Sequence, residues 1–561
     1  MMESQQISTK TEARDNVFFS GVLILTLSTI LVKIIGLLYK IPMLHCLGSV
    51  GMGYFNAAYE CYALISVLAT AGLPIASSMM IAEARSRNDS RAHLCIRRVE
   101  RVSLRIFVLI GITGTLLLLL GASPIAKLIG SPQTAPALMA VAPTVLFSCL
   151  SAAYRGYFQG FQNMRPTAIS QLIEAVGKLV FGVRFGMWAA AKGMSLPYVA
   201  AAAMIGLSLG VAISAGYLFS CRLHHTAKGA AVTSTTQASL HCAKRPGIVR
   251  PPVQRLIRLA IPITLSSSVL SLTKVVDMTL ILRRLQHLGL EAEQAEALYG
   301  IYTTVTVPIF NLVPALLTSI ALALIPTLSS DIEAGNRQAQ RETVNAAMRI
   351  TALLSIPAAL ALSLYSRPII ALLFRVSSED LDVSSGLLTT LSLSVAFAGL
   401  ITTTNAILQA YGRTKLPIYS MLIGAATKLL CAAVLIGIPS INIYGAPLST
   451  LICNSVIVGI NLAMIAKHTG ILDPLRKILL LPLALSVPAV GLPALLFSVL
   501  SRSGMNERLA FVIVLPLTLF FLLLLALKGG VLQQKELESI ANGRLNRLLD
   551  RRLRFLLPKK L

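Results

Sequence analysis

Eight ionisable side chains stand inside stretches otherwise too apolar for anything but a membrane: Lys33, Glu60, Arg155, Glu174, Lys178, Lys274, Asp277 and Lys428. Arg105 and Arg349 lie nearer the ends of such stretches. A lysine at the middle of a spanning helix costs roughly 2.5–3.5 kcal/mol, so Lys33, Lys178, Lys274 and Lys428 turned to lipid would cost about 10–14 kcal/mol together. That approaches the whole stability of a domain. These lysines must therefore find partners or face a wet cavity. Glu174 and Lys178 are spaced i,i+4, and Lys274 and Asp277 i,i+3, so each pair shares a helix face. Lys33 and Lys428 have no local counter-ion. A cavity with surplus positive charge attracts an anionic ligand. The competing reading makes any one of these lysines a structural tie between helices.

The elements that must position these groups are spans. Of 561 residues, 55% are hydrophobic and 13% charged, against about 25% charged in a soluble domain. The mean hydropathy is +0.75. A crossing needs about 20 apolar residues, and the pattern predicts about fourteen. They fall near 18–39, 53–82, 102–121, 136–160, 166–188, 196–220, 257–282, 299–328, 347–365, 384–411, 415–437, 443–466, 478–500 and 509–527. The fold class is all-α and polytopic. No intervening polar stretch is long enough for a core of its own.

Basic residues orient the chain. The segments 1–17, 83–101, 161–165, 221–258, 329–346, 412–415, 467–477 and 528–561 hold 32 of the 49 Lys and Arg. The opposite side holds about a third as many. Both termini are thus expected in the cytoplasm of a bacterial cell, with the chain in its cytoplasmic membrane. The net charge of +26 follows from this asymmetry, and no nucleic-acid-binding motif accompanies it. The N-terminus mixes acids with bases before a span-length apolar run, unlike a cleavable signal. Cysteines are scattered without CxxC spacing, so neither a disulfide framework nor a metal site is expected. No cofactor motif is present. The basic tail, with Leu545, Leu548, Leu549 and Leu553, fits an amphipathic helix on the membrane surface.

An internal repeat divides the spans. Gln159-Gly-Phe-Gln-Asn-Met-Arg-Pro166 leads to Lys178, and Gln409-Ala-Tyr-Gly-Arg-Thr-Lys-Leu-Pro417 leads to Lys428, with 19 residues from Gln to Lys in both. Ser123-Pro-Ile-Ala-Lys-Leu-Ile matches Arg367-Pro-Ile-Ile-Ala-Leu-Leu, and Leu27-Ser-Thr matches Leu265-Ser-Ser. Six spans per repeat make the two copies parallel. The expected organisation is a cytoplasmic N-terminus at 1–17, an N-lobe at 18–220, a basic cytoplasmic linker at 221–256 and a C-lobe at 257–466. Two further spans follow within 467–527, then a basic cytoplasmic tail at 528–561.

The opening segment carries Gly21-Val-Leu-Ile-Leu-Thr, Lys33-Ile-Ile-Gly-Leu-Leu-Tyr-Lys40-Ile-Pro, Gly51-Met-Gly-Tyr-Phe, Thr70-Ala-Gly-Leu-Pro74 and Ile81-Ala-Glu-Ala-Arg-Ser-Arg-Asn. Further on stand Leu298-Tyr-Gly-Ile-Tyr and Leu324-Ile-Pro-Thr-Leu-Ser329. Over nearly its whole length the chain resembles the stage V sporulation protein B and polysaccharide-export family. That family sits in the superfamily of the lipid II flippase MurJ and the MATE exporters. The resemblance implies a V-shaped, two-lobed fold, alternating access and a cationic cavity for a diphosphate headgroup. The flippase pattern Arg-x-x-Gly-x-x-Arg on the first span is matched by Lys33-Ile-Ile-Gly36, with Lys40 one position late. Lysine is a point charge where arginine would be a planar fork.

These readings combine into a flippase for a polyprenyl-diphosphate-linked oligosaccharide, a peptidoglycan or polysaccharide precursor such as lipid II. Lys33, Lys40, Arg155, Lys178, Lys274 and Lys428 would bind the substrate, and Glu60, Glu174 and Asp277 would gate or couple. The expected partners are that anionic substrate, membrane lipids and a coupling Na⁺ or H⁺. The alternative is a MATE-type exporter of organic cations, which would want uncompensated carboxylates. An enzyme is not expected, because no nucleophile or acid–base cluster stands at a membrane surface.

Overall fold

A computed structural model of the chain describes residues 2–86, 92–233, 252–470 and 480–528. Among them there are helices and no strands. The helices are α1 (Met2–Thr70), α2 (Leu73–Ser86), α3 (Ala92–Ile129), α4 (Ala135–Gly160), α5 (Arg165–Gly177), α6 (Val183–Ala191), α7 (Leu196–Thr233), α8 (Pro252–His287) and α9 (Ala292–Ile301). Then come α10 (Val307–Glu333), α11 (Arg337–Leu364), α12 (Ser366–Leu373), α13 (Ser378–Ala410), α14 (Lys415–Leu435), α15 (Gly445–Thr469), α16 (Leu481–Arg502) and α17 (Glu507–Lys528). Eleven helical segments of the described residues are long and apolar enough to cross a membrane. Large apolar side chains stay exposed along them, as on α3, where Leu109, Leu117 and Leu120 are 67%, 53% and 78% exposed. Such a surface suits hydrocarbon, since backbone groups are satisfied inside each helix.

The chain divides into two compact units, Met1–Gly300 and Ile301–Leu561. In the first, α8 packs against α1, α2 and α3. Arg283 of α8 donates to the Lys127 carbonyl at 2.6 Å and to the Leu128 carbonyl at 3.0 Å. At the other end of α8, Arg255 pairs with Glu83 of α2 at 2.5 Å. The second unit is built on the faces of α10, α11, α13 and α15, with Leu328, Met348, Ile407, Leu408 and Ile465 at its centre. Asn461 of α15 donates to Thr404 Oγ1 at 3.0 Å and to Asn405 Oδ1 at 2.9 Å, both on α13. α16 and α17 pack on Tyr365 through Val490, Phe511 and Val514.

Local chemistry explains where the elements depart from the sequence reading. α1 passes through Gly48 at φ +64°, a left-handed value that glycine adopts at little cost, so one long helical run bends into two. α13 opens at Ser378, six residues ahead of the expected 384. Ser377 Oγ caps it by accepting from the Asp380 amide at 3.1 Å, and the acids of its first turn suit the positive helix end. α9 already forms at Ala292, ahead of the expected 299. The polar 221–256 linker is narrower, because α7 runs to Thr233 and α8 starts at Pro252. The basic tail lies outside the described residues.

The repeat returns as local geometry. Gln162 donates its amide to the Gln159 carbonyl at 2.8 Å, and Asn163 to Phe158 at 3.0 Å. In the second unit Gly412 donates to Gln409 at 2.9 Å, and Arg413 to Leu408 at 2.9 Å. Both turns place a left-handed residue at the same step, Gln162 at φ 61° and Gly412 at φ 71°.

Candidate functional site

Three helices of the first unit each turn one polar stripe toward the same space. The second half of α1 contributes Tyr59, Tyr62, Ser66 and Thr70; α4 contributes Ser148, Ser151, Arg155 and Gln159. Their spacings of three and four residues keep each set on one helix face. Glu174 of α5 and Lys178 just beyond it complete the lining of a cavity of about 420 Å³. That volume falls within the usual range for ligand sites, roughly 300–1,000 Å³.

Lys178 begins a π-helical turn, Lys178–Gly182, between α5 and α6. Such turns concentrate at functional sites. The backbone of α7 reaches this turn through Gly206 and Gly210, four residues apart. A Cβ at Gly210 would lie 2.8 Å from the Lys178 amide nitrogen. Small residues at this spacing let spanning helices meet backbone to backbone, and the meeting fixes the base of the lysine.

Glu174 holds two cations at once. Its Oε1 lies 2.8 Å from Lys178 Nζ, and its Oε2 lies 2.9 Å from Arg155 Nη2. Arg155 Nε also donates to Ser170 Oγ at 3.0 Å. Each of the three charged side chains is about 20% exposed, on the cavity side. Lys178 Nζ stands 5.9 Å from the centre of the Tyr59 ring, and Tyr62 Oη meets Ser148 Oγ at 2.7 Å. Two positive charges against one negative leave the cavity cationic, in a setting where low dielectric strengthens electrostatics. Phenol, hydroxyl and amide groups around the charges provide donors and acceptors for a polar ligand.

A second grouping lies on α1 and α8. Lys40 is within electrostatic reach of Glu60 and Lys274, and Tyr299 of α9 is within reach of Glu60 and Asp277. The i,i+4 pair Glu174–Lys178 forms as expected. Of the i,i+3 pair on α8, Lys274 is exposed while Asp277 is buried. Lys33 is exposed on α1. Lys428 is half-buried on α14, in the second unit. Reading charged residues alone missed Tyr59, Tyr62, Ser148 and Gln159. Their signal was the polar stripe at helical spacing within apolar spans. No group of three His, Cys, Asp or Glu able to hold a metal occurs among the described residues.

Comparison with known proteins decides the family. The profile described as polysaccharide biosynthesis protein matches residues 18–331, more than half of the chain. The chain belongs to the polysaccharide biosynthesis protein family. A MatE profile matches 302–434. Three relatives of this family member come from Bacillus subtilis (strain 168). The uncharacterized membrane protein YabM is 27% identical, covering 86% of this chain and 85% of the relative. Stage V sporulation protein B is 26% identical, covering 77% and 80%. Lipid II flippase MurJ is 24% identical, covering 80% and 82%. Among solved structures, a lipid II flippase MurJ in an inward closed conformation aligns with a TM-score of 0.67 at 17% identity, over 90% of this chain and 98% of that one. An inward-facing MATE multidrug transporter aligns at 0.57 and 14% identity, over 79% and 98%. The family member is thus a multi-pass membrane protein with the MurJ and MATE fold.

Proposed function

We propose that the chain is a flippase that carries a polyprenyl-diphosphate-linked oligosaccharide across the bacterial cytoplasmic membrane by alternating access. The observation that carries this reading is the carboxylate of Glu174 shared by Arg155 and Lys178, which leaves a polar cavity with net positive charge inside apolar spans. A diphosphate answers that charge, and the hydroxyl and phenol lining answers sugar hydroxyls. The relatives named as a lipid II flippase and a sporulation protein support a cell-wall precursor as cargo. On this reading the chain crosses fourteen times with both termini in the cytoplasm. Residues 18–220 and 257–466 are its two repeat-related lobes. Lys33, Lys40, Lys274 and Lys428 join the cavity cations in handling the headgroup, while Glu60, Glu174 and Asp277 gate them.

The matching MatE profile favours one other reading, export of an organic cation. Binding separates the two. Purified protein in nanodiscs should bind a fluorescent polyprenyl-diphosphate disaccharide, and Lys178→Ala should weaken that binding. Binding of tetraphenylphosphonium with no response to the diphosphate lipid would favour the cation exporter.

A further inference from the structure

Glu296 is the most fully enclosed carboxyl in the first unit that the proposed site does not use. It sits on α9 and is 1% exposed, and neither Oε1 nor Oε2 has a hydrogen-bond partner. α9 lies directly on α1 where α1 bends after Gly48. A Cβ at Gly53 of α1 would come within 2.6 Å of Glu296 Oε2, and a Cβ at Gly300 of α9 would collide with the Ser49 carbonyl. Glycines on both helices bring the two backbones together without room for a side chain between them. Ser131 flanks the carboxyl, and its hydroxyl also meets Thr134 Oγ1 at 2.5 Å. The titratable neighbours are Tyr54 from α1 and Glu293 and Tyr299 from α9 itself. None of them is a cation.

An ionised carboxylate without a counter-charge is strongly disfavoured in such a place. The neutral acid is tolerated, and water must enter before the proton leaves. Opening of the α1–α9 contact and loss of one proton are therefore the same event. We propose that Glu296 is a proton-binding site whose protonated form seals α9 against α1 and whose ionised form parts them. The ligand is the proton itself. Nothing in this assignment needs the cargo to be known; its place in a transport cycle rests on the flippase reading. In that cycle, protonation favours the closed contact, and the driving force for resetting the carrier follows the proton gradient.

One proton linked to one opening changes the open-to-closed ratio by up to about tenfold per pH unit. Two measurements on the full chain in nanodiscs test this without any cargo. Spin labels at His45 on α1 and Gln294 on α9, both exposed, placed in a chain whose native cysteines are replaced, report the distance between the helices. The expected result is one short distance at pH 5 and a growing longer population toward pH 9. Glu296→Gln, which keeps the shape and cannot ionise, should hold the short distance throughout. Infrared difference spectra between wild type and Glu296→Gln at pH 7 should contain the carbonyl band of a protonated carboxylic acid. A wild-type distance that ignores pH overturns the proposal even if the variant does not fold. So does a difference spectrum without that band. Either failure leaves the flippase reading standing, because neither measurement involves transport.

Discussion

Arg155 of α4 and Lys178 at the end of α5 hold opposite oxygens of one carboxylate, that of Glu174, at 2.9 and 2.8 Å. The arrangement ties two helices together and still leaves one positive charge over. A simple one-to-one ion pair would have neutralised the cavity. The same three side chains therefore serve packing and binding, and substitutions can separate the two roles.

Removing Glu174 and removing Lys178 should have different consequences. Glu174→Ala strands two cations in a partly buried site and should lower the thermal midpoint, with a cost of about 1–3 kcal/mol for the unsatisfied groups. Lys178→Ala leaves the Arg155–Glu174 pair intact and should keep wild-type expression. A charged hydrogen bond contributes roughly 1.5–3 kcal/mol, so binding of the diphosphate lipid should fall by about 10–100-fold. Thermal unfolding followed by fluorescence-detected chromatography, alongside lipid binding, checks both. Equal loss of stability in the two variants would contradict this division of labour.

The lysines outside the cavity should behave unequally. Lys33→Ala and Lys274→Ala, both at exposed positions, should leave folding unchanged and slow flipping in proteoliposomes. Lys428→Ala, in the second unit, should slow it less. Degradation of all three variants would make these residues structural ties rather than binding groups.

Topology is open to chemical labelling. Single cysteines at Gln133 and Ser440, both exposed, should react with a membrane-impermeant maleimide added to intact cells. Cysteines at Asn163 and Thr414, also exposed, should react only after the cells are opened. The reverse pattern would turn the protein over and exclude an outward direction of transport.

The duplicated turn makes a prediction about stability. Gly412 sits at φ 71°, a conformation costing about 1–2 kcal/mol for an L-residue with a side chain. Gly412→Ala should destabilise by about 1 kcal/mol. Its counterpart Gln162, at φ 61°, already bears that strain, so Gln162→Gly should be neutral or stabilising. Thermal midpoints decide it: that of Gly412→Ala should fall and that of Gln162→Gly should not.

What the sequence determined by itself is what depends on composition and short-range spacing. Apolar runs of span length fix membrane helices, because backbone groups in hydrocarbon must be satisfied within the chain. The repeat of Gln159–Lys178 in Gln409–Lys428 was legible for the same local reason: its turn is held by bonds three and five residues apart. The Glu174–Lys178 pair followed from helical periodicity. What only the tertiary structure decided depends on residues brought together from distant segments. Arg155 meets Glu174 across 19 positions because Gly206 and Gly210 let α7 seat the π-helical turn. Of Lys274 and Asp277, equally well spaced on paper, packing buries the carboxylate and leaves the lysine exposed. Glu296 falls between the expected spans 257–282 and 299–328. It becomes a buried carboxyl because α9 starts early and lies on the glycines of α1. Helical spacing is written in adjacent residues, whereas close approach of two backbones depends on side chains that are absent, and an absent side chain has no pattern to read.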